Sequence, residues 1–486
     1  MTMDYRIIIG LEVHVQLLTR TKLFCGCSTK FGLPPNSATC PVCIGMPGVL
    51  PVMNRRAFEL ALKAALALNC RIAAFTKWDR KNYYYPDLPK NYQISQYDLP
   101  FSHDGWLEIP TAAGPKRVGI IRAHLEEDAG KMLHDEAGGG QESKVDLNRA
   151  GTPLVEIVSQ PELSSPEEAR VYLEEMRLLL REIEVSDCEM QEGSLRCDAN
   201  INLHVPQPDG SFVATPIVEV KNLNSIAAVE RAMKYEAERQ FEEFQATGKK
   251  LGEVSKATAG WDDARRVTRI QRRKEEASDY RYFPEPDLLP VHVSNAWREE
   301  VLRSLPELPE AKRARFISAH GLSPYDAGVL TASQSLADYF ESVVKSGAGA
   351  KTAANWIQTE LLRRLNDSGK EIEASPVSPT ALADLLKLVA FGKITAAVGK
   401  KVFAVMFDTG RSPADIVAAE GLGSQVDELA IEQAAREVIE KNPDNVAKFK
   451  SGNEGVFKFF VGQVMRATRG QANPQAVNDI LRKLLS

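Results

Sequence analysis

The sequence predicts an α+β protein in which a strand-rich amino-terminal region with inserted helices is followed by an all-α region. Up to about residue 295, short stretches of alternating apolar and polar residues are broken by Pro, Gly and Asn, and beyond it the apolar spacing is helical. Pro284, Pro286 and Pro290 mark the end of the first region. A chain of 486 residues is too long for one core, and its length favours about three domains. The expected domains are residues 1–294, 295–410 and 411–486.

Three long helices are expected inside the strand-rich domain, over residues 54–68, 165–182 and 225–247. The first two begin at an Asn and a Ser, which cap helices well, and the first and third space their apolar residues at helical intervals. Strands with inserted helices are typical of an α+β domain with an antiparallel or mixed sheet. The last domain ends in a helix for which Asn473 is the expected N-cap and Pro474 the first residue.

The composition is ordinary for a soluble globular protein, with 44% apolar and 26% charged residues. No run approaches the roughly 20 apolar residues of a membrane span, and the chain starts with an apolar strand instead of a signal peptide, so a cytoplasmic protein is expected. A net charge of −5 argues against a protein that coats nucleic acid non-specifically. The basic stretch 264–274 leaves two alternatives open, a local nucleic-acid contact or a solvated strand face.

One face of the first predicted strand combines a carboxylate with an imidazole. Between Arg6 and Gln16, alternation puts Glu12 and His14 on the face opposite the apolar residues. A single polar face is more often simply exposed to solvent, but the pattern recurs in several further strands. The recurring residues are Arg122, His124, Glu126, Asp128, Glu156, Arg196, Asp198, Asn200, Glu219 and Lys221. Together they favour a polar sheet surface that holds a charged ligand and a divalent metal ion.

Four cysteines form a second group. Cys25 and Cys27 are followed after twelve residues by Cys40 and Cys43, whose Cys-Pro-Val-Cys turn resembles a zinc knuckle. The first pair has one intervening residue instead of two. Four thiolates leave no open coordination position, so a zinc ion held by residues 25–43 would be structural. Reduced free thiols, or disulfides in an oxidising compartment, are the alternatives.

Residues 77–96 interleave basic and aromatic side chains. Arg80, Lys81 and Lys90 lie among four tyrosines, and this mixture suits contacts with phosphate or with a nucleotide. Residues 279–287 are similar in character. A tyrosine-rich loop packed on the sheet is the alternative.

Several common catalytic motifs are missing from the sequence. Residues 347–352 resemble a phosphate-binding P-loop, but Ala350 stands where glycine is needed and no predicted strand leads into the segment. There is no G-x-S-x-G elbow, no HExxH pair and no Gly-Ser-Ser-rich stretch of the kind found in amidases. The sequence therefore offers neither P-loop nor amidase chemistry.

Nine segments together resemble the signatures of the B subunit of the tRNA-dependent amidotransferase. They are 9–14 (IGLEVH), 24–51, 79–87 (DRKNYYYPD), 124–131 (HLEEDAGK), 145–149 (VDLNR), 193–200 (GSLRCDAN), 220–224 (VKNLN), 279–287 (DYRYFPEPD) and 470–474 (GQANP). The resemblance spans essentially the whole chain. It implies a cradle-shaped catalytic domain, a helical linker domain and a tail domain that binds tRNA, in agreement with the boundaries above.

The family resemblance also implies a two-step reaction and a set of partners. ATP phosphorylates the side-chain carboxylate of glutamate mis-charged on tRNA(Gln), or of aspartate on tRNA(Asn), and ammonia then displaces phosphate. Such a protein works in a heterotrimer with a glutaminase A subunit and a small C subunit, and the mis-charging aminoacyl-tRNA synthetase is a further candidate partner. The missing amidase motif fits this role, because the chain would receive ammonia instead of making it. The expected cofactors are ATP, Mg²⁺ and a structural Zn²⁺.

The resemblance assigns roles to individual residues. It implies Mg²⁺ at Glu12, His14, Glu126 and Glu156, reacting groups near Lys81 and Tyr83, the mouth of an ammonia channel at Lys90 and Glu127, and substrate or nucleotide near Arg80, Arg196, Asp198 and Asn200. Alternation favours Glu126 over Glu127 as the metal ligand, because Glu126 shares a strand face with His124.

Two alternative functions remain at this point. A non-catalytic tRNA-binding scaffold needs only the tail and the basic patches, and it leaves the polar strand faces unexplained. A stand-alone metal hydrolase would act without ATP or tRNA. The sequence leaves open whether tRNA(Gln), tRNA(Asn) or both are substrates.

Overall fold

The structure is a computed structural model, and it describes residues 5–134, 143–273, 280–422, 428–450, 453–468, 472 and 474–485. By its internal contacts the chain divides into two compact units, Met1–Glu310 and Ala311–Ser486. The first unit is a mixed sheet with inserted helices and the second is helical, so the predicted α+β fold class is confirmed. In the part of the chain that is described, no helix has the length and apolar character needed to cross a membrane.

The first unit contains the strands. They are β1 (Arg6–Gln16), β2 (Arg71–Ile72), β3 (Phe75–Thr76), β4 (Asp79–Asn82), β5 (Tyr92–Ser95), β6 (Ser102–Thr111), β7 (Gly114–Glu127), β8 (Lys131–His134), β9 (Ser143–Asp146), β10 (Pro153–Ser159), β11 (Leu195–Pro206), β12 (Phe212–Ala214), β13 (Val218–Lys221), β14 (Ala257–Asp262), β15 (Val267–Arg273), β16 (Phe283–Pro284) and β17 (Val291–His292).

Ten of these strands form one large sheet in the order β15-β14-β13-β11-β1-β10-β7-β6-β2, with β12 paired to β11. Neighbours are antiparallel except for the parallel pair β13 and β14, so the sheet is mixed. A small sheet in the order β16-β4-β5 is joined to β7 by hydrogen bonds from Gln93 to Glu127 and from Leu125 to Gln96. These bonds hold the tyrosine-rich segment beside the large sheet.

Helices α1 (Arg55–Ala67), α2 (Pro166–Glu182), α3 (Ile226–Thr247) and α4 (Asn295–Arg303) belong to the first unit. The first three are the predicted helices, and each begins where a capping side chain accepts a backbone N–H. Those caps are Asn54, Ser165 and Ser225. Their apolar stripes share one core with the buried face of the sheet, including Leu11, Val13 and Val15 of β1. The helices therefore cover one face of the sheet and leave its polar face for a site.

The second unit is built from helices. They are α5 (Pro309–His320), α6 (Pro324–Leu330), α7 (Gln334–Lys345), α8 (Ala350–Trp356), α9 (Leu362–Ser368), α10 (Pro379–Ala390), α11 (Ala396–Thr409), α12 (Pro413–Ala419), α13 (Glu428–Glu440), α14 (Pro443–Lys450), α15 (Phe457–Ala467) and α16 (Pro474–Leu485), with a π-helical turn at Ile357–Leu361 and 3-10 turns at Ile372–Ala374 and Glu454–Val456. The predicted last helix is present, whereas its expected cap, Asn473, lies outside the described residues.

Apolar side chains of the described residues gather in three clusters, one in the first unit and two in the second. Val301 of α4 belongs to the first cluster and Ile416 of α12 to the second, so each core reaches a few residues past the expected limits at 294 and 410. Three cores agree in number with the three expected domains, and the division at those limits remains a prediction.

Candidate active site and cysteine cluster

The polar face of the large sheet carries most of the residues that the sequence singled out. β1 lies between β10 and β11, and the strand register sets His14 opposite Glu156 on one side and Arg196 on the other. The row continues into β7, where His124 lies opposite Glu156. Val13, one residue before His14, is fully buried in the core on the other face. Alternation along the strands therefore builds a charged surface on one face only.

This surface lines an open cavity of about 380 Å³. Arg196 is one of its lining residues, and its guanidinium forms an ion pair with Asp128 at an N···O distance of 2.8 Å. The residues that the sequence singled out and that line this cavity are His14, Lys81, Tyr83, Glu126, Asp128, Arg196, Asp198 and Lys221. The volume lies in the range of sites that bind small polar ligands.

Three of the four expected Mg²⁺ ligands come together. His14 Nε2 lies 3.6 Å from Glu156 Oε2 and 3.9 Å from Glu126 Oε1. One ligand atom from each of these residues lies within 4.8 Å of the other two. Two carboxylates with one imidazole form a donor set that fits a hard divalent cation such as Mg²⁺ or Mn²⁺.

The buried groups of this cluster shift one another's pKa. Burial raises the pKa of Glu126 to about 7, and the charge of Glu156 adds to the effect. Burial acts to lower the pKa of His14, but the surrounding carboxylates, Glu156 foremost, outweigh it and raise the pKa to about 9. Burial likewise acts to raise the pKa of Glu156, yet the two neighbouring imidazoles hold it below its ordinary value. Near neutral pH, a His14 imidazolium therefore balances carboxylate charge.

His124 belongs to this cluster although the sequence assigned it no role. Its ring is buried, with Nε2 at 3.5 Å from Glu156 Oε2 and 3.9 Å from Glu126 Oε2. Burial lowers the pKa of His124 to about 4, so the ring is neutral at pH 7 and can donate one N–H to these carboxylates. Its Nδ1 has no hydrogen-bond partner among the described residues. The signal in the sequence was its place two residues before Glu126 on one strand face.

Glu12 lies in the neighbouring row of the sheet, because residues two apart on a strand are separated by roughly 6.6 Å. Its carboxylate accepts a hydrogen bond from Asn200 Nδ2 at 2.8 Å, and it forms a second acidic group with Asp198 and Glu219. Lys221 makes ion pairs with both of these partners. The structure therefore does not bring Glu12 to the cluster of His14.

Lys81 and Tyr83 enter the same cavity from β4 and the loop after it. The Lys81 ammonium lies 5.0 Å from the centre of the Tyr280 ring and 5.9 Å from that of Tyr83. Burial acts to lower the pKa of Lys81, but nearby acidic groups, Glu126 first, outweigh it and raise it. Within the described residues this ammonium has no ion pair closer than 4.0 Å. It is a cation available to an anionic ligand.

Lys90, Glu127 and Arg80 lie away from this cavity. Lys90 and Glu127 form a buried ion pair, and Glu127 also accepts a hydrogen bond from the backbone N–H of Ile94 at 2.9 Å. Arg80 binds the buried carboxylate of Glu285 through two hydrogen bonds of 2.6 and 2.8 Å. All three line a second cavity of about 210 Å³. The structure therefore keeps Glu127 out of the His14 cluster and does not bring Arg80 to the first cavity.

The four cysteines lie together beside the second cavity. Each is a free cysteine, and their sulfur atoms all lie within 4.8 Å of one another. A tetrahedral zinc ion with sulfur ligands at about 2.3 Å would separate those sulfurs by about 3.8 Å, so the cluster fits the ion after small movements. The Cys25 side chain lowers the pKa of Cys43 to about 4, and the Cys40 N–H donates to Cys43 Sγ at 3.1 Å. Without an ion, Cys43 is thus the thiolate of the cluster, because its hydrogen bond with Cys25 raises the pKa of Cys25 and burial raises the pKa of Cys27 to about 11.

The turn after Cys43 is pressed against Lys90. Gly45 has a φ of +72°, and a Cβ atom built there would lie 2.3 Å from Lys90 Cγ. Glycine is needed for both reasons, since other residues rarely adopt this φ and a side chain would collide. The turn of the cysteine cluster therefore helps to hold Lys90 against Glu127.

A charged sheet surface with strongly perturbed titratable groups in an open cavity is typical of an enzyme that acts on charged substrates. The comparisons with known proteins agree with this class. The family described as the GatB/GatE catalytic domain matches residues 7–299, and the family described as the GatB domain matches residues 338–485. This chain belongs to the family of the amidotransferase B subunits.

Relatives match the chain from end to end. It is 51% identical to the B subunit of aspartyl/glutamyl-tRNA(Asn/Gln) amidotransferase from Caldanaerobacter subterraneus subsp. tengcongensis over 484 residues, which cover 100% of both chains. Proteins with the same name from Carboxydothermus hydrogenoformans and Moorella thermoacetica are 50% and 51% identical. Those matches cover 99% of this chain, and 99% and 100% of the respective relatives.

Proposed function

We propose that this chain is the B subunit of a cytoplasmic amidotransferase that converts Glu-tRNA(Gln) or Asp-tRNA(Asn) into Gln-tRNA(Gln) or Asn-tRNA(Asn). The observation that carries the proposal is the identity of about half of all residues, over the whole chain, with proteins of that name. ATP transfers its γ-phosphoryl group to the side-chain carboxylate of the mis-charged amino acid. Ammonia then forms the C–N bond as the C–O bond to phosphate breaks, and one proton is lost.

The cluster of His14, Glu126 and Glu156 is the proposed Mg²⁺ site. Bound there, Mg²⁺ would neutralise the charge that builds up when the phosphates of ATP approach a carboxylate. Glu156 and Glu126 supply oxygen ligands, and neutral His14 supplies a nitrogen. His124, whose Nε2 lies 3.5 Å from Glu156 Oε2 and 3.9 Å from Glu126 Oε2, would help to orient these carboxylates.

Lys81 is proposed to bind the anionic part of the substrates. Its ammonium faces the cavity without a close carboxylate partner among the described residues, so it can pair with a substrate carboxylate or a phosphate. Tyr83 forms one wall beside it and is oriented by the hydrogen bond from its O–H to Gln93, at 3.0 Å. Arg196 and Asp198 would contact the substrates from the lining of the same cavity, and Asn200 would act beside it by holding the Glu12 carboxylate.

Lys90 and Glu127 are proposed to face the route by which ammonia arrives from a glutaminase A subunit, within a heterotrimer completed by a small C subunit. Their ion pair lies beside the second cavity and under the cysteine turn. Zinc held by the four cysteines would stabilise this wall and take no part in the reaction. We further propose residues 411–486 as the tRNA-binding tail, after a helical domain at 295–410.

The decisive experiment combines the purified chain and its partner proteins with each mis-charged tRNA, ATP and Mg²⁺, using either glutamine or ammonium chloride as nitrogen donor. We expect ADP, phosphate and the amidated aminoacyl-tRNA to form together with either donor. Glu126→Gln removes a metal-binding charge without changing size, and Lys81→Met removes the substrate-binding cation. Each should lower amidation at least 100-fold, whereas Glu192→Gln, an exposed glutamate, should change nothing.

The alternatives give different results in this assay. A scaffold protein would bind tRNA, yet neither variant would affect amidation. A stand-alone metal hydrolase would release products without ATP or tRNA. If the Glu126→Gln variant and the Lys81→Met variant both amidate at the wild-type rate, the proposed site is overturned.

A further inference from the structure

Lys22 is completely buried, with 0% of its surface exposed. It lies in the loop after β1, three residues before the first cysteine of the cluster. Lysine side chains are almost never buried to this extent unless their charge is paired, because moving an ammonium group out of water is very costly. The surroundings of Lys22 must therefore supply negative charge.

The ammonium group of Lys22 has three close partners. Nζ donates to the carbonyl oxygens of Ala38 at 2.8 Å and Leu147 at 3.4 Å, and it lies 3.5 Å from Cys43 Sγ. These three contacts use all three N–H donors of the ammonium. Among the described residues no carboxylate lies within 4.0 Å of it. Both carbonyls are neutral, so the sulfur of Cys43 is the contact that can carry a negative charge.

The charge of the cysteine cluster explains why a cation is needed there. A zinc ion with two positive charges and four thiolates with one negative charge each leave a net charge of minus two. Such a charge in a partly buried position is unfavourable without compensation. One ammonium in contact with the cluster halves this net charge. The same ammonium donates a hydrogen bond to Cys43 Sγ, and outer partners orient metal ligands through hydrogen bonds of this kind.

We propose that Lys22 is a positioning residue of the cysteine centre, which compensates the zinc–thiolate charge and orients Cys43 through an N–H···S hydrogen bond. This inference rests on the proposed zinc site. The carbonyls of Ala38 and Leu147 fix the ammonium between the cysteine loop and the segment after β9. Lys22 therefore ties the zinc centre to the domain and slows the loss of the ion.

The test compares full-length variants loaded with zinc. Lys22→Met keeps the length of the side chain but removes its charge and its donors, and Lys30→Met is the matched control at an exposed lysine of the same loop. Zinc content is measured by atomic emission, and zinc release is followed with an excess of a chromophoric chelator. We expect one zinc per chain in the wild type, the same release rate in Lys30→Met, and release at least tenfold faster in Lys22→Met.

The results separate the two proposals. A wild-type chain without zinc overturns the zinc site itself. A zinc-loaded, folded Lys22→Met chain that releases zinc at the wild-type rate overturns the role of Lys22 alone. If Lys22→Met yields no folded protein, Lys22→Gln decides the matter. Glutamine keeps a hydrogen-bond donor for the carbonyls but carries no charge. Faster zinc release from Lys22→Gln than from the wild type supports the proposal, and an unchanged rate of release overturns it.

Discussion

Metal binding at the His14 cluster is expected to displace a proton, and this exchange can be measured. The imidazole nitrogen that would bind Mg²⁺ must be neutral, whereas the pKa of His14 is raised to about 9 when the carboxylates are its only partners. At pH 7, two units below that pKa, protons compete with the metal and weaken its apparent affinity about 100-fold, or about 2.7 kcal/mol. Affinity should therefore rise about tenfold per pH unit from pH 7 to near 9 and then level off. Below pH 7, protonation of Glu126 steepens the dependence.

The stability of the metal-free protein depends on pH in the opposite direction: it falls as the pH rises. Because the folded-state pKa of His14 is raised above 6.5, its contribution to stability is complete below pH 6.5 and is lost as the pH rises through about 9. Saturating metal should remove this loss, since the ion then replaces the proton.

Calorimetric titration with Mn²⁺ or Mg²⁺ tests this exchange. At pH 7.5, in two buffers with different ionisation enthalpies, the difference in heat should correspond to about one proton released per ion. His14→Gln should bind the ion more weakly and lose the rise in affinity between pH 8 and 9, while His103→Gln, at a more exposed histidine of β6, should behave as the wild type. An affinity that does not change between pH 7 and 9 would refute the placement of the ion at His14.

Three further predictions concern stability. Arg239→Leu leaves the fully buried carboxylate of Glu236 without its bidentate partner, so the free energy of unfolding should fall by about 3–5 kcal/mol in urea titrations, and an unchanged midpoint would contradict the argument. Gly45→Ala should lower the free energy of unfolding by about 1–2 kcal/mol because of its positive φ, and by a further ~1–3 kcal/mol because the new methyl group collides with Lys90. Gly48→Ala, also at positive φ but in open space, should show only the first of these losses in thermal melts. Stripping zinc from the four cysteines with a strong chelator should lower the melting temperature of the catalytic domain, because the ion binds the folded state only; an unaltered melt after complete removal would argue against a structural ion.

Alternation along single strands was enough to predict which residues share the polar face. Glu12, His14, Glu126 and Glu156 all lie on that face, since the side-chain period of a strand is fixed at two. Alternation says nothing about which row of the sheet a residue occupies. That depends on the register between β1 and β11, which sets Glu12 opposite Asp198 although the two residues lie far apart in the sequence. The grouping of metal ligands therefore could not be read from one strand at a time.

Long-range partners explain the remaining differences. The sequence showed Arg80 beside tyrosines and suggested a phosphate contact, but its partner Glu285 lies 205 residues further along the chain. The burial of Lys22 was equally invisible, because a lone lysine near cysteines is most often exposed. The helices were easier to predict, because the capping side chains of Asn54 and Ser165 accept hydrogen bonds from backbone N–H groups only three residues further along the chain.

The position of β1 in the middle of the sheet has a consequence for biosynthesis. Its neighbour β10 ends at residue 159, whereas its other neighbour β11 ends at residue 206, so the hydrogen bonds of β1 are complete only after about residue 206 has left the ribosome. Until then one hydrogen-bonding edge of one of the first strands to be synthesised has no partner, which is a condition that favours aggregation and chaperone capture. Nascent chains halted just before and just after β11 should therefore differ sharply in protease resistance, although β7 and β10, which carry the carboxylate partners of His14, are present in both.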